Sequence, residues 1–408
     1  MYEPLDFEFN QAAPPGSAHG YLVPEPSDCM RCGLCLNTCP TYQLEAIDAE
    51  SPRWRIRTLS RLLFDKQTLT DDEQTHLKNC VQCRTCESVC PSKMAYGQLF
   101  DSALAQLTTK KPFLAKLGFW LTSHKHWRYL LLPFVELYRR FKLSALMRAS
   151  GLLAKLGLTE IDSVLTQPTL SPLKSHYPSK TQRIGRVALF TGCLTEHFDR
   201  ATHLATIKLL TALGYEVVVP FEQRCCGAIH KHNGESEQAL VNANIAIFNG
   251  LDIDAIIYTA TGCGAMLADY PDNAFKYPLY DINDYLVQQN INSLRFAPLP
   301  IHAVVHEPCS QRNLTKSQAS VYPLLQNIPG LTVSPLADNA ICCGAGGSYM
   351  LTHPVQSQQL RRLKQQVIKD ANAELVISSN FGCILHLQTP QLPLLHPVCL
   401  LAQQLLDK

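Results

Sequence analysis

Ile56, Leu59, Leu62, Leu63 and Phe64 recur at helical spacing, so a helix is expected to cross this stretch. A second is expected to begin near Asp71-Asp72-Glu73, because acids suit the positive end of a helix dipole. From Lys110 to Lys155 aromatic and aliphatic side chains interleave with cations, which predicts a basic helical connector. From 184 onward the texture changes to short apolar runs separated by helical patterns. Strands are expected at Arg186–Phe190, Tyr215–Val219, Ala255–Tyr258, Ala303–His306, Leu331–Val333 and Leu375–Ile377. Such βαβ alternation implies a parallel sheet covered by helices. The plan occurs twice: Cys193 to Cys309 spans 116 residues, Cys225 to Cys342 spans 117 and Cys263 to Cys383 spans 120. Self-similarity this regular signals a duplicated domain.

The 408-residue chain has room for several domains, and 46% apolar with 17% charged residues fits a globular protein rather than a disordered one. No run of 18 apolar residues is present, so no bilayer span is expected. Met1 to Asp28 has five acids and no Lys or Arg, unlike a signal peptide, and a cytoplasmic location follows as the expectation. The formal net charge of +2 conceals a local excess: Lys110 to Lys155 holds ten Lys or Arg and one acid, Glu136. That stripe reads either as a solvated helical linker or as a peripheral contact with an anionic membrane or a partner subunit. Nucleic acid is not expected.

Cysteine spacing changes the picture most. Cys29, Cys32, Cys35 and Cys39-Pro40 are followed by Cys80, Cys83, Cys86 and Cys90-Pro91, two copies of C-x2-C-x2-C-x3-C-P. This spacing holds a pair of [4Fe–4S] clusters, the fourth cysteine of each run ligating the other cluster. Cys29, Cys32, Cys35 and Cys90 are therefore expected on one cluster, and Cys80, Cys83, Cys86 and Cys39 on the other. Structural zinc favours paired C-x2-C motifs and fits less well. Pro40 and Pro91 are expected to break the local helix and turn Cys39 and Cys90 away. Seventeen cysteines, an odd number in a long chain, argue against a secreted disulfide scaffold.

A second set repeats in the duplicated half: Cys193, Cys225-Cys226-Gly227 and Cys263, then Cys309, Cys342-Cys343-Gly344 and Cys383. These lie after expected strands or in loops, where parallel sheets build sites. They are candidate ligands for an additional Fe–S or zinc centre, with a redox-active thiol pair or inert buried thiols as alternatives. Gly344-Ala345-Gly346-Gly347 lacks the full dinucleotide fingerprint and is read as backbone room beside thiols. Cys399 has no counterpart and is expected in the core. No catalytic triad, carboxylate pair or flavin signature stands out, so substrate oxidation is assigned to another polypeptide.

The stretches from Cys29 to Gln43 and Cys80 to Ser92, together with Cys-Cys-Gly-Ala-Gly-Gly-Ser-Tyr-Met-Leu-Thr-His-Pro from Cys342, resemble the iron–sulfur subunit of glycolate oxidase (glycolate dehydrogenase). The resemblance implies a multi-domain fold: an α-helical ferredoxin domain with two [4Fe–4S] motifs, then duplicated α/β cysteine-rich (CCG) domains as in heterodisulfide reductase. It also implies a flavin-containing partner subunit that oxidises glycolate to glyoxylate, and D-lactate to pyruvate. Electrons would then pass through this subunit toward a quinone or other acceptor. The family's Pro-Arg-Gly-Arg is here Pro52-Arg53-Trp54-Arg55. The Cys-x-x-Cys of heterodisulfide reductase is replaced by Met266 and His386, leaving four thiolates per half with His386 as an added candidate ligand. The expected division is a flexible extension over 1–20, the ferredoxin-type domain over 21–105, the connector over 106–183 and CCG domains over 184–295 and 296–408. Alternative readings are an iron–sulfur subunit of an anaerobic glycerol-3-phosphate dehydrogenase or lactate-utilisation complex, a disulfide reductase, or a metal-stabilised scaffold.

Overall fold

The computed structural model describes residues 29–107, 113–156, 158–165, 168–169, 172–389 and 391–406. The extension expected over 1–20 lies outside them. The chain forms two compact units: residues up to Cys80 with Thr85–Thr108, and Val81–Arg84 with Thr109–Lys408.

The described residues of the first unit form helices and no strand: α1 (Pro40–Glu45), α2 (Pro52–Leu63), α3 (Asp71–Lys78), α4 (Thr85–Ser88) and α5 (Tyr96–Leu104). Local chemistry fixes the ends of its longer helices. Ser51 accepts the N–H of Trp54 at the start of α2, and Pro52 follows it at the first helical position. Thr70 and Glu73 form a reciprocal capping box on α3, ahead of the three expected acids. Leu59, Leu77, Leu99, Phe100 and Ala103 form the dry centre. Pro40 opens α1 instead of breaking a helix, because a missing N–H costs nothing in the first turn. Trp54 sits inside α2 without a left-handed backbone, so no glycine is required there.

The second unit begins with α6 (Phe113–Ser123), α7 (Lys125–Arg140), α8 (Leu143–Ala149), α9 (Leu152–Lys155) and α10 (Thr159–Val164). The first repeat then runs β1 (His176–Tyr177), β2 (Gly185–Phe190), α11 (Thr195–Phe198), α12 (Arg200–Leu213), β3 (Tyr215–Val218), α13 (Ala228–Lys231), α14 (Gln238–Asn249), β4 (Ala255–Tyr258), α15 (Thr261–Ala268), β5 (Leu279–Asp281) and α16 (Ile282–Gln288). The second runs β6 (His302–His306), a π-helical turn (Ser310–Thr315), α17 (Val321–Leu325), β7 (Thr332–Pro335), α18 (Tyr349–Thr352), α19 (Pro354–Asp370), β8 (Leu375–Ser378), α20 (Phe381–Leu387), β9 (Leu394–Leu395) and α21 (Pro397–Gln404).

The sheet orders are β1-β3-β2-β4-β5 and β7-β6-β8-β9. Every pair is parallel except β1 with β3. Removing β1 leaves the same order in both halves, which is the duplication seen in the cysteine offsets. Central strands β2, β4, β6 and β8 are buried almost throughout, as continuous apolar runs in parallel sheets demand. One core joins the halves: Val187 and Leu189 belong to the same cluster as Ala303, Val305 and Ile377. Cys399 is buried in this cluster, 3.3 Å from the Thr202 hydroxyl.

Candidate metal centre

In the first cysteine run Arg31 and Gly33 have left-handed backbones (φ 53° and 80°), and in the second Gln82 and Arg84 do (φ 56° and 53°). The matched positions immediately precede and follow the second cysteine of each run, Cys32 and Cys83. A chain that alternates in this way presents successive N–H groups to one concave side and suits an anionic cluster.

Within the first unit, Cys29, Cys32, Cys35, Cys86 and Cys90 line one concavity, with Ile56, Met94 and Tyr96 as its apolar wall. Three of the thiols come from the first run and two from the second. Burial and the neighbouring Cys29, Cys39 and Cys32 thiolates push the Cys35 thiol up to about 11, so a cationic group is needed to hold these sulfurs together as thiolates. Cys90 goes the other way. Burial pushes it up, but hydrogen bonds from the Ser92 hydroxyl and the backbone at Met94, Ser92 and Lys93 outweigh this and hold it below its ordinary value. Soft thiol donors, apolar walls and N–H donors to sulfur fit iron–sulfur clusters.

Cys39 and Cys80 meet around a buried ion network that the sequence reading did not single out. Arg55, fully buried on α2, lies 3.8 Å from Cys39 Sγ, donates to Thr41 Oγ1 at 2.9 Å and to the His76 carbonyl at 3.0 Å, and pairs with buried Glu50. Burial opposes its charge, but the Cys80, Tyr96, Cys39 and Glu50 charges prevail and strengthen it. Glu50 is completed by His76 Nδ1 and Asn79 Nδ2, both at 2.7 Å. The Tyr96 hydroxyl donates to Cys80 Sγ at 3.4 Å. The signal was legible in principle: Arg55 interrupts an apolar helix face. Cys83 belongs to the segment Val81–Arg84 of the second unit.

In the second unit each half gathers its four cysteines at the carboxyl edge of its sheet. Cys193, Cys225, Cys226 and Cys263 lie close enough to influence one another in that order, and the neighbouring thiols together with burial push Cys193, Cys225 and Cys226 up. In the other half Cys343 donates to Cys383 Sγ at 3.0 Å, and the neighbouring Cys343 together with burial pushes the Cys342 thiol up. Burial and the Cys342 charge push the Cys309 thiol up. The residue after each pair is a left-handed glycine whose N–H reaches back to the first sulfur: Gly227 to Cys225 at 3.5 Å and Gly344 to Cys342 at 3.3 Å. The thiols approach one another pairwise; among the described residues no group of three or more His, Cys, Asp or Glu side chains is arranged to hold a single metal ion. His386 bonds Ser357 Oγ at 3.0 Å, and burial lowers its pKa to about 4. A second unforeseen cation stands here. Lys364 is fully buried, donates to the Asp338 carbonyl at 3.0 Å and is lowered to about 8 by burial, against the pull of Cys343, Cys342 and Cys383.

Residues 187–268 and 303–388 match the family model of the cysteine-rich domain CCG, and residues 25–94 match the 4Fe-4S dicluster domain. The chain is 33% identical over 390 residues to the probable glycolate oxidase iron–sulfur subunit of Bacillus subtilis, covering 88% of each. The chain belongs to the family of glycolate oxidase iron–sulfur subunits. Another member, the glycolate oxidase iron–sulfur subunit of Escherichia coli, is 29% identical over 88% of this chain and 89% of its own length. Lactate utilization protein A of an Exiguobacterium species is 30% identical, over 49% of this chain and 88% of its own length. A hypothetical protein from Helicobacter pylori shares the fold over 86% of the chain and 67% of its own, with a TM-score of 0.50 at 10% identity. Family membership fixes the general role: this is an iron–sulfur, electron-transferring subunit of an oxidoreductase complex, with its dicluster domain ahead of two CCG repeats.

Proposed function

We propose that the chain relays electrons from a flavin-containing subunit that oxidises glycolate to glyoxylate, and D-lactate to pyruvate, toward a quinone or another acceptor. In this reading Cys29, Cys32, Cys35 and Cys90 hold one [4Fe–4S] cluster and Cys80, Cys83, Cys86 and Cys39 the other. The observation that carries it is the concavity in which thiols of both runs meet, Cys86 and Cys90 beside Cys29, Cys32 and Cys35. When bound, the clusters supply sites that accept and release one electron at a time. The protein's own part is to collect the thiols, exclude water with Ile56 and Met94, and place Arg55 beside Cys39 and Cys80 to offset negative charge. No hydride-accepting group is available from these residues, so glycolate chemistry belongs to the partner.

The twin tetrads are the candidate sites of an additional Fe–S centre. The complex rests at the inner face of the cytoplasmic membrane through residues 110–155. A lactate-utilisation partner is the second reading, favoured by the similarity to lactate utilization protein A over half of the chain.

The test is iron and acid-labile sulfide content, with electron paramagnetic resonance of the anaerobically reduced chain. About eight of each is expected from two clusters, and any surplus locates a further centre in the tetrads. Cys32→Ala and Cys83→Ala should each remove one cluster signal and stop glycolate-dependent dye reduction, while the flavin remains reducible by substrate. Normal dye reduction by either variant overturns the wiring.

A further inference from the structure

Helix α7 is amphipathic with its faces reversed. Its inner face carries Lys125 and Arg128, both buried, with Glu196 as their counter-ion at 2.8 and 3.8 Å, and the half-buried Tyr129 hydroxyl donates to the same carboxylate at 3.0 Å. Its outer face carries Trp127, Leu130, Leu131, Phe134, Leu137 and Phe141, spaced by three or four residues along one stripe. Phe134 is 66% exposed, Phe141 64% and Leu130 57%. An ordinary surface helix buries such a stripe and shows its charges to water. Here the charges are neutralised inside and the apolar stripe is outside, and stripes of this extent mark interaction surfaces.

The surroundings say what covers it. Exposed Lys116 on α6, Arg140 at the end of α7, Lys142 ahead of α8 and Lys155 on α9 flank the stripe along the chain, and Glu136 is the sole acid from 113 to 155. Trp120 and Trp127, partly exposed with ring centroids 5.4 Å apart, bring indoles to the same border. A second copy would set this cationic rim against itself, and protein interface centres are poor in lysine. Apolar side chains, interfacial tryptophans and single-sign cations together match the headgroup region of an anionic bilayer. No helix among the described residues is long and apolar enough to cross a membrane, so the helix would lie on the surface.

We propose that the outer face of α7, flanked by the cations of α6 to α9, inserts its apolar stripe into the headgroup layer of a membrane containing anionic phospholipid. This names the surface and the lipid class behind the peripheral placement given above, and it rests on that placement.

The full anaerobically purified chain is floated with vesicles of phosphatidylcholine alone and with vesicles containing about one-third phosphatidylglycerol. Flotation with the anionic vesicles is expected, weaker flotation with the neutral ones, and a decline with added salt. Leu130→Glu with Phe134→Glu should lower binding about tenfold or more, and Lys116→Glu with Lys142→Glu should abolish the preference for anionic vesicles. Unchanged melting and visible absorption of the variants certify their folding, and unchanged glycolate-to-dye activity of the variants assembled with the flavin subunit in solution keeps this test separate from that of electron transfer. Wild-type protein that stays with neither vesicle, or a Leu130/Phe134 variant that floats like wild type, overturns the proposal. So does self-association, or capture by the purified flavin subunit, that the same double substitution removes while vesicle binding is absent.

Discussion

Arg55 is a cation enclosed by one carboxylate, one hydroxyl, one carbonyl and the Cys39 sulfur, with essentially no solvent. A buried ion pair contributes little net stability over an apolar pair of the same shape, but removing one member strands the other. Arg55→Met should therefore destabilise the first unit by about 3–5 kcal/mol, because it strands buried Glu50 with only His76 and Asn79 as partners. Adding Glu50→Leu should restore part of the loss, a coupling that denaturation of the four corners of the cycle measures. Independent, additive losses would show that the two side chains do not act as a pair. Sequence patterning did not single this residue out; its one trace is an interruption of an apolar helix face. Its partner Glu50 lies in a single turn of 3-10 helix with no periodicity to read, so the pair was invisible until the turn folded back.

At the scale of elements, the strands of the two sheets that carry continuous apolar runs were legible to within a residue or two, and so was the duplication. β5 and β9 were not, because they hold three and two residues, too few to establish a pattern. β1 was missed because it is two residues long and pairs antiparallel at the edge. The cysteine motifs were legible because metal ligation imposes spacing directly on sequence. The cations beside them were not, since Lys364 sits on α19 among Gln and Arg and reads as solvated until the helix packs. The loop joining β7 to α18 gives a sharp test of geometry at the tetrads. Gly344 has φ 84°, and a Cβ there would press into the Ser357 carbonyl oxygen and close on Leu360, both on α19. Gly347 has φ 62° but open space around it. Gly347→Ala should cost about 1–2 kcal/mol, the left-handed penalty alone. Gly344→Ala should cost clearly more, because α19 must shift. Equal changes in melting for the two variants would mean that the loop, not the helix, yields.

Across the second unit as a whole, burial has been imposed on imidazoles at several separate places. It lowers His197, His203 and His386 to about 4, His396 to about 3, and His306 well below its ordinary value. A histidine with a depressed folded pKa contributes stability that is intact above its unfolded value of about 6.5 and fades as pH falls toward the folded one. Asp199 and Asp281, raised by burial to about 7, act oppositely: their contribution is complete below the unfolded value of about 4 and fades as pH rises through 7. Between about pH 6.5 and 4 the unfolded chain thus takes up protons at the histidines, while the folded chain retains them at the two aspartates. Five imidazoles outweigh these two carboxyls and Asp284, which burial also raises, so stability should fall with acidification, each net proton costing about 1.4 kcal/mol per pH unit. His396 offers a controlled probe. Its Nδ1 accepts the Val398 N–H to cap α21, and its Nε2 donates to the Thr259 carbonyl at 3.0 Å, an arrangement that only the neutral ring supports. His396→Asn keeps a capping acceptor and removes the titration. Melting followed from pH 7 to 4 should decline less steeply in this variant than in the wild type, and parallel curves would mean that protonation at the α21 cap is not part of the acid response.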